Sequence, residues 1–204
     1  PMYMGAVTFF LFILGCLVCR GRDKWWMIAA SLFAVFLAWV CNMMWFTRLC
    51  YNLLPMYSKF RTVSMALIVL QCTLPMLGFL ALSRIFNGEL TTGEMRKKTA
   101  IAAAVTIGLC LMFFLIQKSA GSFTGAGDQK ELAAVLAKDR ASMLSSDTFR
   151  SILFAALAFA AVFILGGDKM QTGRVKGRSI LAVVIALLTV LDMFPVDRRY
   201  LNNG

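Results

Sequence analysis

Three polar segments interrupt long apolar stretches, and they hold the residues whose types and spacing could do chemistry. The first, TRLCYNLLPMYSKFR from Thr47 to Arg61, carries Arg48, Lys59 and Arg61 and no acid. Tyr51, Tyr57 and Phe60 lie among these cations, and Pro55 resists regular helix. Arginine grips a phosphate through two parallel hydrogen bonds and lysine meets it as a point charge, so this loop could hold a lipid phosphate. The same residues would also suit an interfacial loop that anchors two helices.

The second segment runs from Gln117 to Arg150. Gly121 to Gly127 is a flexible stretch, and Asp128 with Glu131 gives the Asp-x-x-Glu spacing of a helix start. Leu132, Val135, Leu136, Met143 and Leu144 form an apolar stripe at helical spacing, which predicts a helix lying on the membrane surface or against other helices. Ser145, Ser146 and Asp147 then offer a cap for a following helix. Asp139, Arg140, Asp147 and Arg150 have the charges to pair with one another or to bind a polar substrate. The third segment, LDMFPVDRRY from Leu191 to Tyr200, places Asp192 near the end of an apolar run. An ionisable group at that depth is a functional hypothesis by default. Arg198 lies close enough in sequence for an interfacial salt bridge, and Asp197 adds a second carboxylate.

Other chemistries lack their residues. The chain contains no histidine, which removes the commonest general base and the imidazole ligands of metals. Cys16 and Cys19 have CxxC spacing without a second pair, and the other four cysteines lie mostly in apolar runs. No metal-ligand set and no cofactor motif is evident in the sequence, which leaves dependence on a divalent metal open.

The elements that must position these residues follow from composition. Of 204 residues, 60% are hydrophobic and 15% charged, and the mean hydropathy is +0.76. Soluble domains carry about a quarter charged residues, and a chain this short cannot hide so much apolar surface from water. Only helices and closed barrels satisfy the backbone in lipid, and the apolar runs lack the alternation of strands. The sequence therefore predicts an all-α integral membrane protein of about six transmembrane helices. The spans fall near 2–19, 25–46, 63–82, 100–116, 151–165 and 179–194, with an amphipathic surface helix near 128–146 between the fourth and fifth. Trp25, Trp26 and Trp45 mark the ends of the second span as an interfacial belt does, and Pro75 interrupts the third. Ala104 with Gly108, and Ala156 with Ala160, have the small-xxx-small spacing of close helix contacts. Gln71, Thr73 and Asn42 are polar residues within spans, suited to bonds between helices.

Lysine and arginine set the orientation. Eleven lie in the loops near 20–24, 84–98 and 167–178, and ten are spread over longer segments on the other side with six of the ten acids. The first set belongs in the cytoplasm, which leaves both termini outside it. Basic loops beside anionic lipid account for the net charge of +11, so no nucleic-acid partner is expected.

YNLLPMYSKFR, DRASMLSSDTFRS and LDMFPVDRRYLN resemble the YfhO family of bacterial membrane proteins in its Bacteroidetes-type form. The opening PMYMGAVTFFLFILG resembles that family's Y-x-G entry into an apolar helix. Family members are much longer, so the chain is expected to be a middle segment that works with the rest of a larger protein in the bacterial cytoplasmic membrane. The family resembles GT-C glycosyltransferases, which pass a sugar from a polyprenyl-phosphate carrier to an acceptor outside the cytoplasm. That resemblance implies membrane lipid and a lipid-linked sugar as partners. It places the catalytic acid in an outer loop upstream of this segment. Arg48, Lys59 and Arg61 would hold the carrier phosphate, and Asp139, Arg140, Asp147 and Arg150 would shape the sugar or acceptor side. A transporter or flippase for a lipid-linked substrate, or a scaffold without catalysis, would use similar features. An outward cavity joining an acid to a basic phosphate site would mark the transferase.

Overall fold

The computed structural model of the chain describes residues 3–38, 52, 66–120, 133–166 and 176–200. Those residues form six helices and no strand: α1 (Ala6–Val18), α2 (Arg22–Ala38), α3 (Ile68–Phe86), α4 (Thr92–Ala120), α5 (Ala133–Leu165) and α6 (Lys176–Tyr200). Four stretches are long and apolar enough to cross a membrane: Ile68–Phe86, Thr92–Ser119, Ala137–Leu165 and Ser179–Val196. Their outward faces expose Phe79, Phe113, Ile164 and Val183 among many others. Water does not tolerate so much contiguous apolar surface, and this is the exterior of a membrane-embedded protein.

The first helix departs from the expected span. α1 has 13 residues and so extends about 20 Å, against about 30 Å of hydrocarbon. Gly5, at φ 79°, turns the chain into it, and Cys19 is already extended at its end. Its place in the molecule explains its composition: α1 packs against every other described helix. Val7, Phe10 and Leu14 are wholly buried, and Leu11 and Val18 nearly so. A helix apolar on all sides belongs at the centre.

α1 and α3 cross closely enough to need glycine. A Cβ on Gly15 would lie 2.6 Å from the Leu77 carbonyl oxygen, and one on Gly78 would lie 2.9 Å from Leu11 Cβ. The spacing at Ala104 and Gly108 marks no such contact, since nothing lies within 4 Å of a Cβ built on Gly108. Beside this crossing α2 is tied to α3. Ser31 Oγ and Thr73 Oγ1 are 2.7 Å apart, and each is also within reach of a carbonyl one turn back in its own helix, Met27 and Val69; with one proton each, one hydroxyl donates across and the other donates to its carbonyl. Bonds of this kind in membranes average about 0.6 kcal/mol. A double-mutant cycle of Ser31→Ala and Thr73→Val is expected to show a coupling of about that size. A coupling of zero would leave packing alone to join the two helices.

The helices run past the expected spans because the backbone ladder continues after the apolar composition stops. α4 begins at Thr92 and takes Arg96, Lys97 and Lys98 into its first two turns, while α6 continues through Pro195 to Tyr200. The region before the fifth span needs correction. A surface helix near 128–146 followed by a separate capped span was expected, yet one helix runs from Ala133 to Leu165. That stretch holds no Gly or Pro to stop it. Its hydroxyls bond back along the same helix: Ser145 to the Ser142 carbonyl, Thr148 to Leu144 and Ser151 to Asp147. At 33 residues α5 is about 50 Å long, some 20 Å more than the hydrocarbon thickness.

Successive helices alternate in direction. Arg84 Nη2 donates to the Arg20 carbonyl at 2.9 Å, and Arg96 lies over the Phe163 ring, so these residues share one end. Tyr3, Arg150 and Asp192 meet at the other. The remainder of the expected second span and the start of the third, with Asn42, lie outside the described residues.

Candidate functional site

The site is built on a helix start that its own sequence leaves uncapped. Gly5 precedes α1 and has no side chain to accept a hydrogen bond from the first turn. Asp192, on α6, supplies one from 186 residues away in sequence: its Oδ2 accepts from the Ala6 N–H at 2.6 Å and from the Val7 N–H at 3.3 Å. A carboxylate suits that place, where unpaired N–H groups and the helix dipole both favour negative charge. Gly5 is required twice over, by its positive φ and because a Cβ there would sit 3.1 Å from Asp192 Oδ2. The other oxygen of Asp192 accepts the Tyr3 hydroxyl at 2.8 Å, and the side chain is 0% exposed.

α5 closes the other side of Tyr3. The Arg150 guanidinium lies 5.5 Å from the Tyr3 ring centroid, in cation–π range. Its Nη1 is 3.9 Å from Asp147 Oδ1 one turn earlier, and its Nε is buried without a hydrogen-bond partner. Burial, followed by the bond to Asp192 and its negative charge, pushes the Tyr3 phenol above its ordinary value; Arg150 and Ser151 pull the other way. Tyr3 precedes the helices and stays a donor at neutral pH.

The roles divide accordingly. Asp192 is inaccessible and has three donors on its two oxygens, which makes it a structural cap. Asp147 and Arg150 form the accessible half, with side chains 42% and 17% exposed. A guanidinium beside a carboxylate can bind a phosphate oxygen on one and a sugar hydroxyl on the other. Tyr3 in turn lines a cavity of about 250 Å³ together with Met4, Gln71, Leu74, Thr189 and Met193, none of them on α5.

The residues singled out in the sequence fare differently. Asp147, Arg150 and Asp192 come together. Asp139 and Arg140 are exposed and lie about 10–16 Å farther along α5. The salt bridge between Asp192 and Arg198 is not formed: Asp192 faces inward to α1 while Arg198 is exposed on α6. Asp197 lies on α6 with its side chain outside the described residues, as are Arg48, Lys59 and Arg61 entirely. Tyr3 and Gly5 were not assigned a role from sequence, although the Y-x-G spacing ahead of the first apolar run was their signal. Among the described residues no three His, Cys, Asp or Glu side chains are grouped to hold a metal ion. The chain matches no family model, no curated protein and no solved structure.

Proposed function

We propose that this chain is a membrane-embedded part of a GT-C-like glycosyltransferase that uses a polyprenyl-phosphate-linked sugar in building the bacterial cell envelope. The observation that carries the reading is the Asp147–Arg150 pair beside Tyr3, which itself lines a cavity between helices. Three of the sequence runs that resemble the YfhO family, around Tyr3, Asp147 and Asp192, supply the residues of this one cluster. On this reading Arg150 binds the carrier phosphate or the sugar, and Arg48, Lys59 and Arg61 are the further candidates for holding the carrier phosphate. The end bearing residues 20–24 and 84–98 faces the cytoplasm, as its lysines and arginines favour. The cluster then faces outward in the cytoplasmic membrane, and the complete protein has six or more spans.

The test is transfer of sugar by the complete protein in vesicles loaded with a polyprenyl-phosphate sugar. Arg150→Ala is expected to lower transfer about tenfold or more, the worth of one charge-assisted hydrogen bond, and Arg150→Lys to restore part of it. Transfer unchanged by Arg150→Ala at normal protein levels removes the proposal. Movement of the lipid-linked sugar across the bilayer without transfer favours the flippase instead.

A further inference from the structure

A groove of about 660 Å³ runs between α3 and α6 over the face of α1. Leu11, Leu82 and Ile185 are buried at its floor, and Phe79 and Val190 stand exposed at its rims. Ala182 and Ala186, one turn apart on α6, keep its wall low. On α3 it extends from Pro75 to Asn87, about 18 Å, or roughly the hydrocarbon depth of one leaflet. It ends at Ser83 and Asn87, on either side of Arg84 in sequence. Arg84 reaches the Arg20 carbonyl and lies 3.8 Å from Glu89.

That end of the molecule is cationic and sits at head-group level. Residues 20–24 and 84–98 hold seven lysines and arginines against Asp23, Glu89 and Glu94. Trp25 and Trp26 are exposed there, with Lys24 over the Trp25 ring, as at a membrane interface. An apolar groove at hydrocarbon depth that ends at polar Ser83 and Asn87, on the cationic end of the molecule, matches a lipid with a chain and an anionic head. We infer that this groove is a binding site for one anionic phospholipid of that leaflet, its acyl chain along α3 and α6 and its phosphate near Arg84. The groove meets the Tyr3 cavity at Thr8, Pro75 and Thr189, but the end at which the head group would sit, at Ser83 and Asn87, is the one away from Tyr3 and Arg150, so head-group selection tests it apart from the transfer reading.

The complete protein, purified in detergent and stripped of lipid, is offered phosphatidylglycerol or phosphatidylcholine with the same chains, and retained lipid is read by native mass spectrometry. Retention of phosphatidylglycerol is expected to exceed that of phosphatidylcholine about fivefold or more, as one or two cations near the head group would give. Ala186→Trp fills the groove from its exposed wall and is expected to bring the two lipids level while leaving lipid-free melting unchanged. If that variant fails to fold, Ala182→Trp carries the same test. Equal retention of both lipids by the unaltered protein, the result if another helix fills the groove, overturns the inference. So does undiminished retention in the folded tryptophan variant, or displacement of phosphatidylglycerol by an equimolar polyprenyl phosphate.

Discussion

Replacing Asp192 with leucine is expected to destabilise the protein by about 3 kcal/mol or more, because two buried N–H groups and the half-buried Tyr3 hydroxyl lose their acceptor at once. Each unsatisfied buried group costs about 1–3 kcal/mol, and the helix dipole adds a share for the charge at the α1 start. Water cannot take the place of the carboxylate, since leucine fills the space and the site is closed. The costs do not simply add, as the Tyr3 hydroxyl can donate to Ser151 instead. Two milder variants separate the parts. Tyr3→Phe removes one bond and is expected to cost about 1 kcal/mol. Asp192→Asn keeps one acceptor oxygen but turns an amide NH2 toward donors, so it falls between the two. Unfolding equilibria in mixed micelles measure all three. An Asp192→Leu protein within about 0.5 kcal/mol of the parent would mean that Asp192 does not hold α1.

Much of this fold is legible in the sequence because lipid leaves the backbone so few choices. Continuous apolar runs must be helices, and from Ile68 onward the four described runs are. Their ends were misplaced for a physical reason. Composition changes where hydrocarbon gives way to head groups, but backbone hydrogen bonding does not stop there, so α4 and α6 continue through arginines and lysines. The same confusion split α5 in two. Ser145, Ser146 and Asp147 are good caps only where the chain before them is not already helical, and here it is.

The site was legible in part. Asp147, Arg150 and Asp192 stand out as charges beside apolar runs. Their partner Tyr3 carries no such mark, and no local period links residue 3 to residue 192. Sequence proximity misled in the opposite direction, by offering Arg198 to Asp192. Six residues along a helix separate side chains by about 9 Å and turn them to different faces. What decided the pairing was the uncapped start of α1, and the signal for that was Gly5 two residues after Tyr3.

Gly15→Val should produce a loss as large as that at Asp192, through packing alone. A Cβ at Gly15 meets three atoms of Leu77 at 2.6, 2.8 and 3.0 Å, and two of these, the carbonyl oxygen and carbon, are backbone. No rotamer change relieves a clash with backbone, so α1 and α3 must separate. α1 is hemmed in by the other helices and has no free direction in which to move. Overpacking costs about 1–3 kcal/mol where side chains can yield, so about 3 kcal/mol or more is expected where they cannot. Valine also adds branching against the preceding turn, a smaller penalty of the helix itself. Gly108→Val on α4 carries that same helix penalty without a neighbour within 4 Å, and it should change stability by well under 1 kcal/mol. The difference between the two variants therefore isolates the α1–α3 contact. If both unfold at the same denaturant concentration, the helices do not touch at Gly15, and the central position of α1, on which the cap at Asp192 and the floor of the lipid groove both depend, is lost with it.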